Sequence, residues 1–125
     1  MSTDHPAATV STHILDTALG RPAGGVAVEL SARGADAAGG EAGAWAALGG
    51  STTDADGRCG DLPALPAGTA RVRLRFATGP YLSGRAGGGT PFLPEVTVDF
   101  TVAPGEHHHV PLLLSPYGYS VYRGS

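Results

Sequence analysis

Between Thr69 and Ala77 the apolar residues Val72, Leu74 and Phe76 alternate with Arg71, Arg73 and Arg75. A period of two predicts a strand with one buried face and one wet face. Val96, Val98, Phe100 and Val102 alternate in the same way with Glu95, Thr97, Asp99 and Thr101, and Val26, Val28 and Leu30 alternate with Ala27, Glu29 and Ser31. Weaker strand patterns run over Ala8 to Leu15, Ala44 to Leu48, His107 to Leu114 and Tyr117 to Arg123, separated by turn-rich pieces such as Asp54-Ala55-Asp56-Gly57. Helical spacing is confined to Pro80 to Arg85, before a run of glycines stops it. The Ala/Gly-rich stretch Gly34 to Gly43 and the stretch Gly84 to Gly89 read as mobile loops, and Met1 to Ala7 as a flexible tail. The expectation is an all-β, antiparallel β-sandwich of seven to eight short strands in two sheets, with at most one short helix, occupying residues 8–125.

Length and composition narrow this picture. A chain of 125 residues supports one core, and a hydrophobic fraction of 42% lets the 20 glycines and 10 prolines read as turns and not as low complexity. A formal charge of -3 removes the electrostatic reason to expect a nucleic-acid partner, which needs clustered cations. All eight basic side chains are Arg, so neither a Schiff-base lysine nor the lysine of a phosphate-binding loop is present. With Cys59 alone no intrachain disulfide can form, and Cys59 reads as a turn-proximal thiol without a role. Met1 to Val10 lacks a secretory pattern, no run is long enough to cross a bilayer, and the last residues are not a peroxisomal address. A cytoplasmic location without membrane partners is expected.

Histidine is the candidate for chemistry. His5 in the tail reads as inert, while His13 and the run His107-His108-His109 fall in predicted strands. Alternation puts His107 and His109 on one face and His108 on the other, with Val110, Leu112 and Leu114. A solvated edge, or a core His108 with one satisfied nitrogen, is the bland explanation. Two chemical readings stand beside it: His13, His107 and His109 as zinc ligands with an open position for water, or metal-free acid and base work by imidazoles that titrate near neutrality. Arg71, Arg73 and Arg75 read as a wet strand face. Arg58, after the Gly57 turn, and Arg123, beside Tyr122, could present planar donor forks to carbonyl oxygens or an anion. No Gly-x-Ser-x-Gly elbow exists, and Ser125 is a poor candidate for a triad nucleophile.

Two segments carry a family resemblance. His13-Ile14-Leu15-Asp16, then Gly20-Arg21-Pro22-Ala23, then Val26-Ala27-Val28 resembles the N-terminal signature of the transthyretin-like family. Glu106 to Ser125, with His107-His108-His109-Val110-Pro111-Leu112-Leu113-Leu114-Ser115-Pro116-Tyr117-Gly118-Tyr119 and the closing Tyr122-Arg123-Gly124-Ser125, resembles its second signature. The likeness spans nearly the whole chain. That family holds enzymes that hydrolyse 5-hydroxyisourate and a thyroid-hormone carrier. The carrier has lysine where this chain has His13, threonine where it has His109, and no such terminal tetrapeptide, so the resemblance is to the hydrolase branch. Asp56-Gly57-Arg58 also matches the hydrolase pattern. His108 departs from it, since tyrosine usually stands there, and its face predicts a modest packing change.

The resemblance implies opening of a ring amide of 5-hydroxyisourate by water in urate breakdown, giving the imidazoline carboxylate 2-oxo-4-hydroxy-4-carboxy-5-ureidoimidazoline, with no metal and no organic cofactor. It implies that His13 and His109 divide water activation and proton delivery, and that Arg58 orients substrate and steadies developing negative charge. Tyr122, Arg123, Gly124 and Ser125 would line the pocket, Ser125 positioning water or a histidine. It further implies a homotetramer, a dimer of dimers with active sites in the cleft between dimers. A carrier of a flat aromatic ligand is the alternative.

Overall fold

β1 (Thr9–Asp16) has a clean inside–outside pattern: Val10, Thr12, Ile14 and Asp16 point inward, and Thr9, Ser11, His13 and Leu15 outward. In the computed structural model, which describes residues 7–35, 41–84 and 89–124, it is followed by β2 (Arg21–Pro22), β3 (Ala27–Ala35), β4 (Glu41–Thr52), β5 (Arg58–Cys59) and β6 (Thr69–Phe76). Then come α1 (Thr78–Ser83), β7 (Val96–Thr101), β8 (His107–Ser115) and β9 (Gly118–Val121). One sheet runs β2-β1-β8-β9, with β5 also paired to β1, and the other runs β4-β3-β6-β7. The two pack face to face over one core. Val10, Ile14, Leu112 and Leu114 meet Val28, Leu30, Val72, Leu74 and Phe76.

The sandwich and, among the described residues, one short helix follow the expectation, and several details differ. The two-residue strands β2 and β5 raise the strand number among the described residues to nine, because both pair with β1 through segments too short to show any period. The stretch expected to be a loop at Gly34 to Gly43 is strand at both ends, in β3 and β4; positions 36–40 lie outside the described residues. β4 extends well beyond Ala44 to Leu48. It is an edge strand whose described side chains before Ser51 are all at least partly exposed, so no buried face imposes alternation, and register shifts in its pairing with β3 disturb the rest. The helix begins two residues before Pro80 and ends at Ser83; positions 85–88 of the expected glycine loop, and positions 1–6 of the expected tail, lie outside the described residues. Ala8, placed at the start of the domain, is buried.

One pairing is not antiparallel. β1 and β8 run side by side in parallel, with Thr9 opposite His107, Ser11 opposite His109 and His13 opposite Pro111. This joins the two ends of the chain at the centre of one sheet. Among the described residues no helix is long and apolar enough to cross a membrane. Cys59, just after the Gly57 turn, has its side chain in the core: it is 1% exposed, and burial pushes its thiol pKa up, which keeps it protonated. Arg73 grips Asp99 through two hydrogen bonds and Arg75 faces Glu29 and Glu95, as expected for a wet face.

Candidate active site

Strand geometry alone assembles the site. β1 turns His13 outward, and β8 turns His107 and His109 to the same outer face. On the other side of β1, β5 sets Arg58 directly opposite His13. Residues 13, 58 and 109, far apart in sequence, thus come from three adjacent strands onto one surface.

The turn before Arg58 is built for this approach. Asp54 accepts hydrogen bonds from the backbone N–H groups of Asp56 and Arg58, at 2.9 and 3.0 Å, and those bonds lower its carboxyl pKa. Gly57 has φ +77°, and its N–H donates to the Asp54 carbonyl. A Cβ there would collide with the Ile14 carbonyl oxygen, which leaves glycine as the residue that lets the turn lie against β1. The same turn holds His13: its Nε2 donates to the Asp56 carbonyl at 2.8 Å. Because a carbonyl only accepts, neutral His13 carries its proton on Nε2 and presents Nδ1 as an acceptor. Arg58 is exposed and, unlike Arg73, Arg75 and Arg123, forms no ion pair among the described residues.

His109 is half-buried. Its Nδ1 lies 2.8 Å from the Ser11 hydroxyl. Burial, followed by the nearby positive charges of His13, His107 and Arg58, holds its pKa below the ordinary histidine value of ~6.5. The neutral ring is therefore its resting form at neutral pH. His13, Arg58 and His107 all lie close enough to His109 to act on its charge.

The C-terminal residues close on this ring. Gly124 N–H donates to the His109 carbonyl at 2.7 Å, and a Cβ on Gly124 would stand 2.7 Å from His109 Cδ2. Glycine is thus required where the chain crosses the imidazole. We expect Gly124→Ala to lower kcat/KM by roughly 10-fold or more, through displacement of the ring or of the tail, with little change in melting temperature; an unchanged kcat/KM would argue that this contact is incidental. Tyr122 is exposed, and Arg123 turns to Glu106, 2.9 Å away, and not to His13 or His109. Ser125 lies outside the described residues.

His108 points inward at 3% exposure, confirming its separation from its neighbours. Its Nε2 accepts a long bond of 3.4 Å from Ala103 N–H, its Nδ1 has no partner, and its ring sits 6.3 Å from that of Phe100. It is a core histidine with one nitrogen satisfied.

The zinc set His13, His107 and His109 is not assembled. Both nitrogens of His107 are taken by hydroxyls of Thr9 and Ser11, and among the described residues no group of three His, Cys, Asp or Glu side chains is arranged around a common point. The geometry instead offers a neutral imidazole, a second imidazole and an uncommitted guanidinium on one face. Strand alternation put His107 and His109 on one face and the family likeness supplied His13 and Arg58, but neither pointed to Ser11, whose contact with His109 depends on the parallel register of β1 and β8. The outward alternation of Thr9, Ser11 and His13 was the only available signal.

A family model described as the HIUase/Transthyretin family matches residues 10–124. A 5-hydroxyisourate hydrolase of Caulobacter vibrioides is 45% identical over 119 residues, covering 93% of this chain and 97% of that protein. Among solved structures, the 5-hydroxyisourate hydrolase of Klebsiella pneumoniae is similar with a TM-score of 0.71 and 36% identity, covering 94% of this chain and 99% of the other. A transthyretin from Sparus aurata superimposes with a TM-score of 0.73 at 33% identity, covering 92% and 95%.

Proposed function

The chain belongs to the HIUase/transthyretin family, and from that premise we propose that it is an enzyme that hydrolyses 5-hydroxyisourate in urate breakdown. Its fold alone is shared with a transthyretin, so the reading rests on the site. The observation that carries it is the convergence of His13, Arg58 and neutral His109 on one outer face. The relatives that carry the hydrolase name support the same reaction.

In this mechanism His109 takes a proton from water through Nε2, since its Nδ1 is engaged by Ser11. The resulting hydroxide attacks a ring carbonyl of the substrate. Arg58 holds the oxygen-rich bicycle and offsets charge developing on the attacked carbonyl. His13, in its protonated form, gives a proton to the leaving ring nitrogen from Nδ1, while Nε2 stays on the Asp56 carbonyl. At the C-terminal end of the chain Gly124 packs against His109 and bounds the pocket on that side. No metal or organic cofactor enters the scheme.

The decisive assay uses freshly generated 5-hydroxyisourate, made from urate and urate oxidase, and follows its ultraviolet decay with and without a chelator. We expect decay far faster than the spontaneous rate and unaffected by the chelator. Binding without turnover would favour a carrier instead, and loss of activity on chelation would favour a metal enzyme.

The proposed assembly is a homotetramer, a dimer of dimers, in the cytoplasm. A single chain leaves the His13–Arg58–His109 face open, and a second dimer laid over it would supply the missing concavity. Exposed Phe92, Tyr117 and Tyr119, the last on edge strand β9, supply apolar surface for a subunit contact. Sedimentation at micromolar concentration should give four times the chain mass; a monomer would overturn this assembly.

A further inference from the structure

The outward hydroxyls of β1 enter the scheme above only through the hold of Ser11 on His109 Nδ1. Thr9 and Ser11 stand opposite His107 and His109 in the parallel ladder, so two hydroxyls and two imidazoles alternate along adjacent strands. Thr9 Oγ1 lies 2.6 Å from His107 Nδ1, and Ser11 Oγ lies 2.8 Å from His107 Nε2 and 2.8 Å from His109 Nδ1. These contacts form one continuous chain. It runs from half-buried His109 to exposed His107.

Proton counting restricts how the chain can be occupied. A serine hydroxyl has one proton to donate, so Ser11 donates to one imidazole and accepts from the other. If His109 Nδ1–H donates to Ser11, then Ser11 O–H donates to His107 Nε2, and neutral His107 must carry its own proton on Nδ1, where it meets Thr9. That setting leaves the His109 Nε2 lone pair available. The reverse setting protonates His109 Nε2 and removes the base. The tautomers of the two histidines are therefore locked together through one oxygen.

We propose that Ser11 and His107 are positioning residues for the reaction: they set the base-competent tautomer of His109 and carry away the proton it acquires. This rests on His109 being the base, as argued above. When Nε2 of His109 takes a proton from water, its ring becomes an imidazolium. Its Nδ1 proton passes to Ser11 Oγ while the Ser11 proton passes to His107 Nε2. His109 is neutral again with its proton on Nε2, His107 holds the positive charge, and solvent removes one proton from His107 at the exposed end. After product leaves, His109 Nε2–H gives its proton to solvent while a solvent proton enters at His107 and shifts the chain back through Ser11 to His109 Nδ1, which restores the base. His13 regains from solvent the proton it gave to the leaving nitrogen, so protons balance over a turnover. The direction is favourable because burial and the permanent charge of Arg58 disfavour the cation on half-buried His109, whereas His107 is exposed. Charged groups flanking the relay are His13 on β1, Arg58 on β5 and the ion-paired Glu106 and Arg123.

The test combines kinetics with imidazole 15N spectra of the ligand-free protein. In the wild type above pH 7 the spectra should show both His107 and His109 protonated on Nδ1, and in Ser11→Ala the His109 preference should fall to a mixture. Ser11→Ala should lower kcat on the order of 10-fold to 100-fold with KM changed less than about 3-fold, and Ser11→Thr should recover most of it. His107→Phe should lose a similar factor, and the double variant no more than either single one, because both break the same chain. A wild-type His109 protonated mainly on Nε2 would overturn the proposal, as would additive losses or a Ser11→Ala kcat within 2-fold of wild type. If the wild type failed to hydrolyse 5-hydroxyisourate, the functional reading would fall, whereas the spectra would still decide whether the tautomers are coupled.

Discussion

His109→Gln lowers kcat on 5-hydroxyisourate by about 10²- to 10⁴-fold, the range a positioned general base supplies. The side chain sits on the outer face of its sheet and not in the core, so the variant should melt within a few degrees of wild type. Glutamine can still meet Ser11, but it has no basic nitrogen with which to take a proton from water. The pH profile gives the sharper readout. Protonation inactivates the base, so wild-type kcat/KM falls as pH drops through the His109 pKa. Burial and three nearby positive charges depress that pKa, which moves the fall below ~6.5, the ordinary histidine value. The residual rate of His109→Gln should lack this acid limb. A variant that keeps the limb, or that stays within tenfold of wild type, would require a different base, and His13 would be the candidate to examine.

Strong strands were legible because each had one buried face. In β6 the run of Val72, Leu74 and Phe76 packs against the core while three arginines stay outside, and the structure keeps that division. β4 was legible only at its centre. Its Ala and Gly side chains bury little, and backbone pairing with β3 decides its length. The two-residue strand β5 was invisible for a simpler reason: two residues have no period. Yet β5 sets Arg58 opposite His13, so a central distance in the site depends on an element that no pattern could reveal.

The site itself was legible unevenly. Alternation placed His107 and His109 on one face and His108 on the other, and burial agrees. The assignment of His13, Arg58 and His109 came from the family likeness, because nothing in their spacing requires that they meet. Ser11 shows the limit most clearly. Its outward direction follows from alternation in β1, but its contact with both histidines needs β1 and β8 to be parallel neighbours in one particular register. That register is a property of strand pairing across nearly the whole chain, and a one-residue slip would turn the hydroxyl to the core.

Arg58→Lys should lose nearly as much activity as Arg58→Ala, about 10²- to 10³-fold in kcat, although it keeps the charge. Three observations lead there. Arg58 is exposed, so neither substitution should cost more than about 0.5 kcal/mol of stability. Its guanidinium forms no ion pair among the described residues, in contrast to Arg73, Arg75 and Arg123, so its donors remain available to a ligand. Its backbone is fixed, through Gly57 and the Asp54 carboxylate, at a ladder position where a planar fork can meet two oxygens of a flat substrate. A lysine ammonium at the same position is a point donor on a flexible stem and cannot grip two oxygens in a plane. If the charge alone mattered, Arg58→Lys would keep most of the rate while Arg58→Ala lost it. If the planar fork matters, both fall together, and added guanidinium ion should restore part of the activity of Arg58→Ala but not that of Arg58→Lys, whose side chain still fills the space. Rescue of neither variant, together with a large rise in KM at unchanged kcat, would reassign Arg58 from transition-state stabilisation to binding alone.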